Sequence, residues 1–251
     1  MNLAGFTRWQ AAAIHLGISA AIALAVVGAM RIAWYPAPYF DAAGGAMLLL
    51  LLVGVDVVVG PLLTLVVYSP QKKHLHADLA VIAALQLAAL AYGVSVMYGA
   101  RPVYVAFAGD RFELVAANAI ADEDLALAAS EFRALPRTGP RIVGTRLPAD
   151  SDARLRLGLV AQAGGSIGIF PQYYAPYDFL ALFAATKAKP LEALRRGQPG
   201  RAAAVDRWVA GSGRPEAAWG FLPLQARHGD MAMIVDAETG AVAGVLAIDP
   251  W

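Results

Sequence analysis

The sequence predicts an α+β protein in two parts: three N-terminal transmembrane helices, followed by an exported mixed domain with an antiparallel sheet. Three observations predict it. Charge is divided unevenly, because the first hundred of the 251 residues hold only Arg8, Arg31, Lys72, Lys73, Asp41, Asp56 and Asp78. The chain is 59% hydrophobic and 16% charged, against about half and about a quarter in soluble domains, so the apolar excess belongs to that first part. After Arg101 the pattern runs strands, then helices, then strands, the order of an α+β domain. Together these exclude a wholly soluble protein and a disordered one. A net charge of +1 leaves no nucleic-acid footprint. Without cysteine there is no disulfide, thiolate metal site or Cys nucleophile.

The membrane domain is predicted over residues 1–100. Trp9 to Met30 carries no formal charge and as a helix reaches about 33 Å, enough to cross a bilayer core. It outruns the apolar region of a cleaved signal peptide and exits through Met30-Arg31-Ile32-Ala33-Trp34-Tyr35, an interfacial anchor rather than a cleavage site. A second span is predicted at about 42–68, broken in charge only by Asp56, and a third at about 79–98. Trp9, Trp34, Tyr35, Tyr39, Phe40, Tyr68 and Tyr98 fall at span ends, as an aromatic belt requires. Lys72 and Lys73 mark the second connector as cytoplasmic, and Arg8 marks the N-terminus likewise. Residues 101–251 are then expected outside, which in a two-membrane bacterium means the periplasm.

In the exported domain a hairpin is predicted from residues 103–107 and 111–115. A helix begins at Asp122 and ends at Pro136, and a strand covers 141–147. A second helix, capped by Ser151, stops at Gly164-Gly165, with an extended segment at 167–171. Short helices follow at 177–187, 191–196 and 202–210. Three strands close the chain at 219–226, 231–235 and 241–248.

The polar groups within the spans are the candidate contact site. An ionised carboxylate at the depth of Asp56 costs about 2.5–3.5 kcal/mol, so it should face the bundle interior. By depth, Gln86 and Ser19 can reach it, with His15 nearer the cytoplasm. Such a cluster is structural glue between helices, a docking group for a partner helix, or a proton relay; a relay normally needs more ionisable groups. Gly60-Pro61 should kink the second span one turn past Asp56. Ala13, Gly17, Ala21, Ala25 and Ala29 recur every four residues, which lays a smooth packing stripe along the first span.

Searching for chemistry yields little. Gly164-Gly165-Ser166-Ile167-Gly168 matches G-x-S-x-G, with Asp206 and His228 following in hydrolase order. That elbow needs a strand before Ser166 and a helix after it, and here the predicted order is reversed. A helix C-cap and loop explains the glycines. His74 and His76, in a short turn, lack a defined third ligand. No catalytic residue, metal ligand or cofactor is assigned.

The stretch Trp34-Tyr35-Pro36-Ala37-Pro38-Tyr39-Phe40 and the run Gly54-Val55-Asp56-Val57-Val58-Val59-Gly60-Pro61-Leu62-Leu63-Thr64-Leu65 resemble the type IV pilin accessory proteins, the TfpX/TfpZ group. So do Asp78-Leu79, Ala100-Arg101-Pro102-Val103-Tyr104, Phe221-Leu222-Pro223-Leu224 and the ending Asp249-Pro250-Trp251. The resemblance spans the architecture and is most specific in residues 34–107. It implies a non-enzymatic, chaperone-like protein of the bacterial inner membrane. It further implies one cognate type IV major pilin as partner, with membrane lipid and other pilus assembly components around it. A membrane-anchored periplasmic sensor or scaffold is the alternative, and would need a concave ligand pocket in residues 101–251. A membrane hydrolase is a further one, and would need Ser166 beside a histidine.

Overall fold

The computed structural model describes residues 6–251. They fall into two compact units: the helical one holds residues up to Ala33 together with Gly45–Gly99, and the α+β one holds Trp34–Gly44 with Ala100–Trp251.

In the helical unit, α1 is Arg8–Ala33. The short helix α2, Tyr39–Ala42, belongs to the other unit. The helix α3, Gly45–Gly54, runs into a π-helical turn, Val55–Val59, and then into α4, Gly60–Val67. The helix α5 is Leu75–Ala100. Among the described residues only α1 and α5 are long and apolar enough to cross a membrane, where the sequence predicts three such helices. The predicted second span is helical but interrupted. Pro61 has no N–H to give, its ring crowds the preceding turn, and the helix takes up an extra residue just before it. Against this run α1 packs, on α4 and on the π turn.

The α+β unit is built on β1 (Pro102–Phe107), β2 (Phe112–Ala116), β3 (Arg141–Thr145), β4 (Tyr174–Pro176), β5 (Lys189–Pro190), β6 (Trp219–Gln225), β7 (Met231–Asp236) and β8 (Val242–Leu246). The strands lie in the order β4-β3-β1-β2-β6-β7-β8, with β5 paired to β6. The expected antiparallel sheet is corrected to a mixed one: β1 pairs β3, and β2 pairs β6, in parallel. Each parallel pair is separated in sequence by helical chain. The first crossover contains α6 (Asp122–Leu127). The second contains α7 (Ser151–Gln162), α8 (Ala181–Lys187), α9 (Leu191–Gly197) and α10 (Ala202–Ser212).

Alternation along the strands gives the sheet two apolar faces. Val105, Phe107, Leu222, Leu224, Met233 and Val235 fill one, together with Ala42, Tyr177 and Ala184. Tyr104, Ala106 and Val143 fill the other beside Phe132, and Ala232, Ile234 and Phe221 continue it under α9 and α10.

Several local readings shift. Asp150, not Ser151, caps α7, its carboxylate accepting from the Ala153 N–H at 2.8 Å. The helix begun at Asp122 ends at Leu127, and a 3-10 turn at Ser130–Phe132 carries Phe132 into the core. The segment predicted as extended at 167–171 is two 3-10 turns, Ile167–Ile169 and Pro171–Tyr173.

The connector at residues 34–44 is an integral part of this domain. Ala42 is in its core, and Tyr39 packs on that core. The His228 N–H donates to the Ala42 carbonyl at 3.1 Å. Gly44, at φ +77°, sits so close under the His228 ring that a Cβ there would overlap it.

Candidate functional site

The site grows from the helix break. In π-helical register the carbonyl of residue 56 looks to the N–H of residue 61, and residue 61 is proline. The orphaned Asp56 carbonyl is taken up from α5 instead: the Gln86 side-chain amide donates to it at 3.0 Å. Gly60 permits this approach, since a Cβ at that position would coincide with the Gln86 amide. So Asp56, Gln86, Gly60 and Pro61 do meet, but Gln86 serves the backbone of Asp56 rather than its carboxylate.

The carboxylate itself is buried, and its Oδ1 has no hydrogen-bond partner. It lines a cavity of about 210 Å³ in the helical unit, together with His15, Ser19 and Gln86. Ser19 is buried at this cavity. His15 is engaged through Nδ1 with the Thr64 hydroxyl at 2.5 Å. Thr64 is a buried polar group the sequence reading missed. Its position, one turn beyond Pro61 on α4, was the available signal. The cavity is therefore mostly apolar in outline, with one carboxylate oxygen left unsatisfied inside it. A buried acceptor without a donor is costly, and a cation or donor on an entering group would relieve it.

The small-residue stripe lies elsewhere. Ala13, Gly17, Ala21, Ala25 and Ala29 are all exposed. The face of α1 buried in the chain is Ala12, Ser19, Ala23 and Met30.

In the α+β unit the hydrolase constellation does not assemble as read. The Ser166 hydroxyl donates to the Glu113 carboxylate and accepts the Gly168 N–H at 2.9 Å. Asp206 accepts from Arg195 Nε at 2.9 Å. A turn precedes Ser166 and a 3-10 turn follows, so the strand–elbow–helix context is missing. What sequence reading missed is Glu113 itself. On β2 it alternates as a surface residue would, yet the 164–173 loop folds over it. Burial pushes its carboxyl up to about 7, against the Gly168 N–H and the Arg111 charge, which pull it down. The Tyr174 hydroxyl donates to the Gly168 carbonyl and completes this tie between loop and sheet. Beside β3 lies a groove of about 480 Å³ whose lining includes Glu131, Arg141 and Asp178. His74 and His76 are exposed, and their turn is held by a Lys72–Asp78 ion pair of 2.6 Å. No cluster of metal-ligating side chains occurs among the described residues.

Fold and site define an assembly with a helical, apolar unit compatible with membrane anchoring and an α+β domain joined to it. The chain belongs to the fimbrial assembly protein family. It is 34% identical over 180 residues to the fimbrial assembly protein of serogroup E1 from Dichelobacter nodosus, covering 71% of this chain and 70% of that protein. The serogroup I protein of the same organism is 33% identical over the same length and coverage. The protein of serogroups C1 and C2 is 37% identical over 114 residues, 45% of this chain and 87% of that one. The family described as Fimbrial assembly protein FimB matches residues 5–44, the first apolar helix and the connector. No solved structure matches.

Proposed function

We propose that this protein acts in type IV pilus biogenesis as a chaperone-like accessory protein of the inner membrane. It engages one cognate major pilin before assembly and promotes surface piliation. The observation that carries this reading is the likeness over 180 residues to proteins named for fimbrial assembly. The geometry supports a place for the contact. A partner's apolar helix can pack along the exposed stripe of Ala13, Gly17, Ala21, Ala25 and Ala29, while the Asp56 cavity offers an unsatisfied acceptor to a cationic or donor group on it.

The packing of residues 34–44 into the α+β domain supports the topology. A connector folded into a domain must lie on the same side of the membrane as that domain. With Lys72 and Lys73 cytoplasmic, both are periplasmic, and the interrupted run from Gly45 to Val67 is the second span. Membrane lipid surrounds the helices, and other pilus components receive the pilin; no cofactor or nucleic acid enters.

Deleting the gene tests the reading. Pilin should still be made, while surface pili disappear and return on complementation with the wild-type chain. Complementation with Asp56→Asn at normal protein level should restore them poorly. Full piliation in the deletion strain would contradict the function.

A further inference from the structure

The sheet ends on β8, and its outer edge lacks the usual guards. Between Thr239 and Asp249 the chain has no charged residue and no proline, the residue types that commonly keep an edge strand from pairing further. Among the described residues β8 pairs β7 on one side and no strand on the other. Its one irregularity is a bulge: Ile234 faces Gly244 while Val235 faces Val242, so Ala243 is the extra residue, and it is exposed. Past the bulge the strand keeps its register to Leu246. An edge of this kind leaves the N–H and C=O of alternate residues without a ladder partner.

Two grooves flank this edge. Ala241 and Val242 line the first, the groove of about 480 Å³ beside β3. Ala243 lines the second, of about 460 Å³, with Trp208, Trp219 and Arg207. Across the first groove the edge of β3 is uncovered too. Only Val143, Gly144 and Thr145 pair with β4, so Arg141 and Ile142 have a neighbouring strand on the β1 side alone. There the chain leaves β4 for the 3-10 turn Tyr177–Phe179. A groove with a strand edge on each wall, lined by Phe132, Ile142 and Val242, has the form that takes an extended backbone.

Charge narrows the occupant. Glu131 and Asp178 also line the first groove, and neither carboxylate has a hydrogen-bond or ion-pair partner among the described residues. The cation lining the same groove, Arg141, is engaged: its guanidinium lies 5.9 Å from the Phe132 ring centre, and its Nη1 donates to the Glu131 carbonyl at 3.4 Å. The second groove sets Arg207 beside two indoles, which suits an apolar side chain better than a further cation. Successive side chains of an added strand point to opposite sides. The complementary segment therefore alternates basic residues with apolar ones.

We propose that the outer edge of β8, with the groove between it and β3, docks an extended segment of a partner protein by strand addition. Basic side chains of the segment lie beside Glu131 and Asp178, and the apolar ones between them lie toward Trp208. This site is contained in the α+β unit. It goes beyond the pilus reading and depends neither on the Asp56 cavity nor on a pilin being the client.

The probe is a fluorescein-labelled peptide of alternating lysine and valine, titrated by polarisation against the full-length chain in non-ionic detergent. The controls are a peptide of the same composition with its lysines and valines in separate blocks, and the alternating peptide with its backbone nitrogens methylated. The alternating peptide should bind and both controls should fail. Bound peptide should slow amide exchange in residues 241–246. Glu131→Lys with Asp178→Lys, at exposed positions, should weaken binding about fivefold or more. Ala243→Lys, a charge set on the edge itself, should abolish it, with unchanged thermal melts showing that these variants stay folded. Equal binding of the two lysine–valine arrangements, or no binding, overturns the proposal. So does binding that Ala243→Lys leaves unchanged. Self-association of the peptide-free chain that Ala243→Lys removes assigns the edge to a second copy, and overturns it as well. Loss of pili on deletion of the gene is read separately, so the pilus reading and this one can fail independently.

Discussion

The two units differ in what they expose and in which polar groups they bury. In the helical unit the exposed side chains are large and apolar, among them Leu24, Leu50 and Val66, while Ser19, Asp56 and Thr64 are buried. In the α+β unit Val103, Tyr104, Phe112, Leu222 and Ile234 are buried, and the buried charges are tied, Arg101 donating to the Pro136 carbonyl and Asp236 pairing with Arg214. One chain thus follows two solvation rules, and the difference teaches what each unit is built to face. An apolar exterior costs nothing against lipid, so packing there is decided by small residues and by polar groups seeking partners. In water the apolar core decides, and the polar groups inside it must be tied.

The comparison breaks first on topology. Alkaline phosphatase fused after Trp251 should be active in cells, and fused at Lys73 inactive. The reverse pattern would mean that the charge bias was misread and that the outward face of the helices answers to something other than a bilayer.

Tolerance to an added methyl group sharpens it. Gly240 adopts φ +74° in the β7–β8 turn, and a Cβ there would run into the Ala181 backbone carbonyl. Neither the strained dihedral nor a backbone atom can yield easily, so Gly240→Ala should destabilise the α+β domain by about 2–4 kcal/mol, read from the thermal unfolding of the detergent-solubilised chain.

Glu113 tests the cost of a carboxylate inside the water-facing unit. Its carboxyl rises from 4.5 to about 7 on burial. Between these values the folded state keeps a proton the unfolded state has released, so stability falls as pH rises through that window and levels off above it. Glu113→Gln should flatten this slope and stabilise the chain at pH above about 7, with tryptophan fluorescence as the readout. An unchanged pH profile would mean the carboxylate is not held away from water.

Smallest is the effect at Gly60. There a Cβ meets only the end of the Gln86 side chain, which can swing aside. Gly60→Ala should cost roughly the single hydrogen bond to the Asp56 carbonyl, about 0.6 kcal/mol in the membrane. Thermal melts of the Gly60 and Gly240 variants side by side measure how much softer the helical unit is.

What was legible in the sequence follows the same division. Local pattern located the β1–β2 hairpin and the β6–β7–β8 meander, because alternation and turn residues act over a few positions. The parallel pairings of β1 with β3 and β2 with β6 were not legible: alternation reads the same in either direction, and the partners are distant in sequence. Glu113 was not singled out in the sequence, because nothing in β2 announces the loop that covers it. In the helical unit, depth brought Asp56, Gln86 and Ser19 to one level. The sequence reading paired Gln86 with the carboxylate, since it did not carry the missing N–H of Pro61 back to the carbonyl of residue 56. The stripe from Ala13 to Ala29 was legible as a face but not as one that stays bare within the chain.

The central claim is that the Asp56 cavity receives part of a pilin helix. A photocrosslinking residue at Leu90, which lines the cavity, with a matched one at Leu85 on the exposed side of α5, tests it in living cells. Crosslinks to the cognate pilin should form from Leu90 and not from Leu85, and should weaken in an Asp56→Asn background at equal protein level. No pilin crosslink from Leu90 in normally piliated cells, or one that Asp56→Asn leaves unchanged, would contradict it.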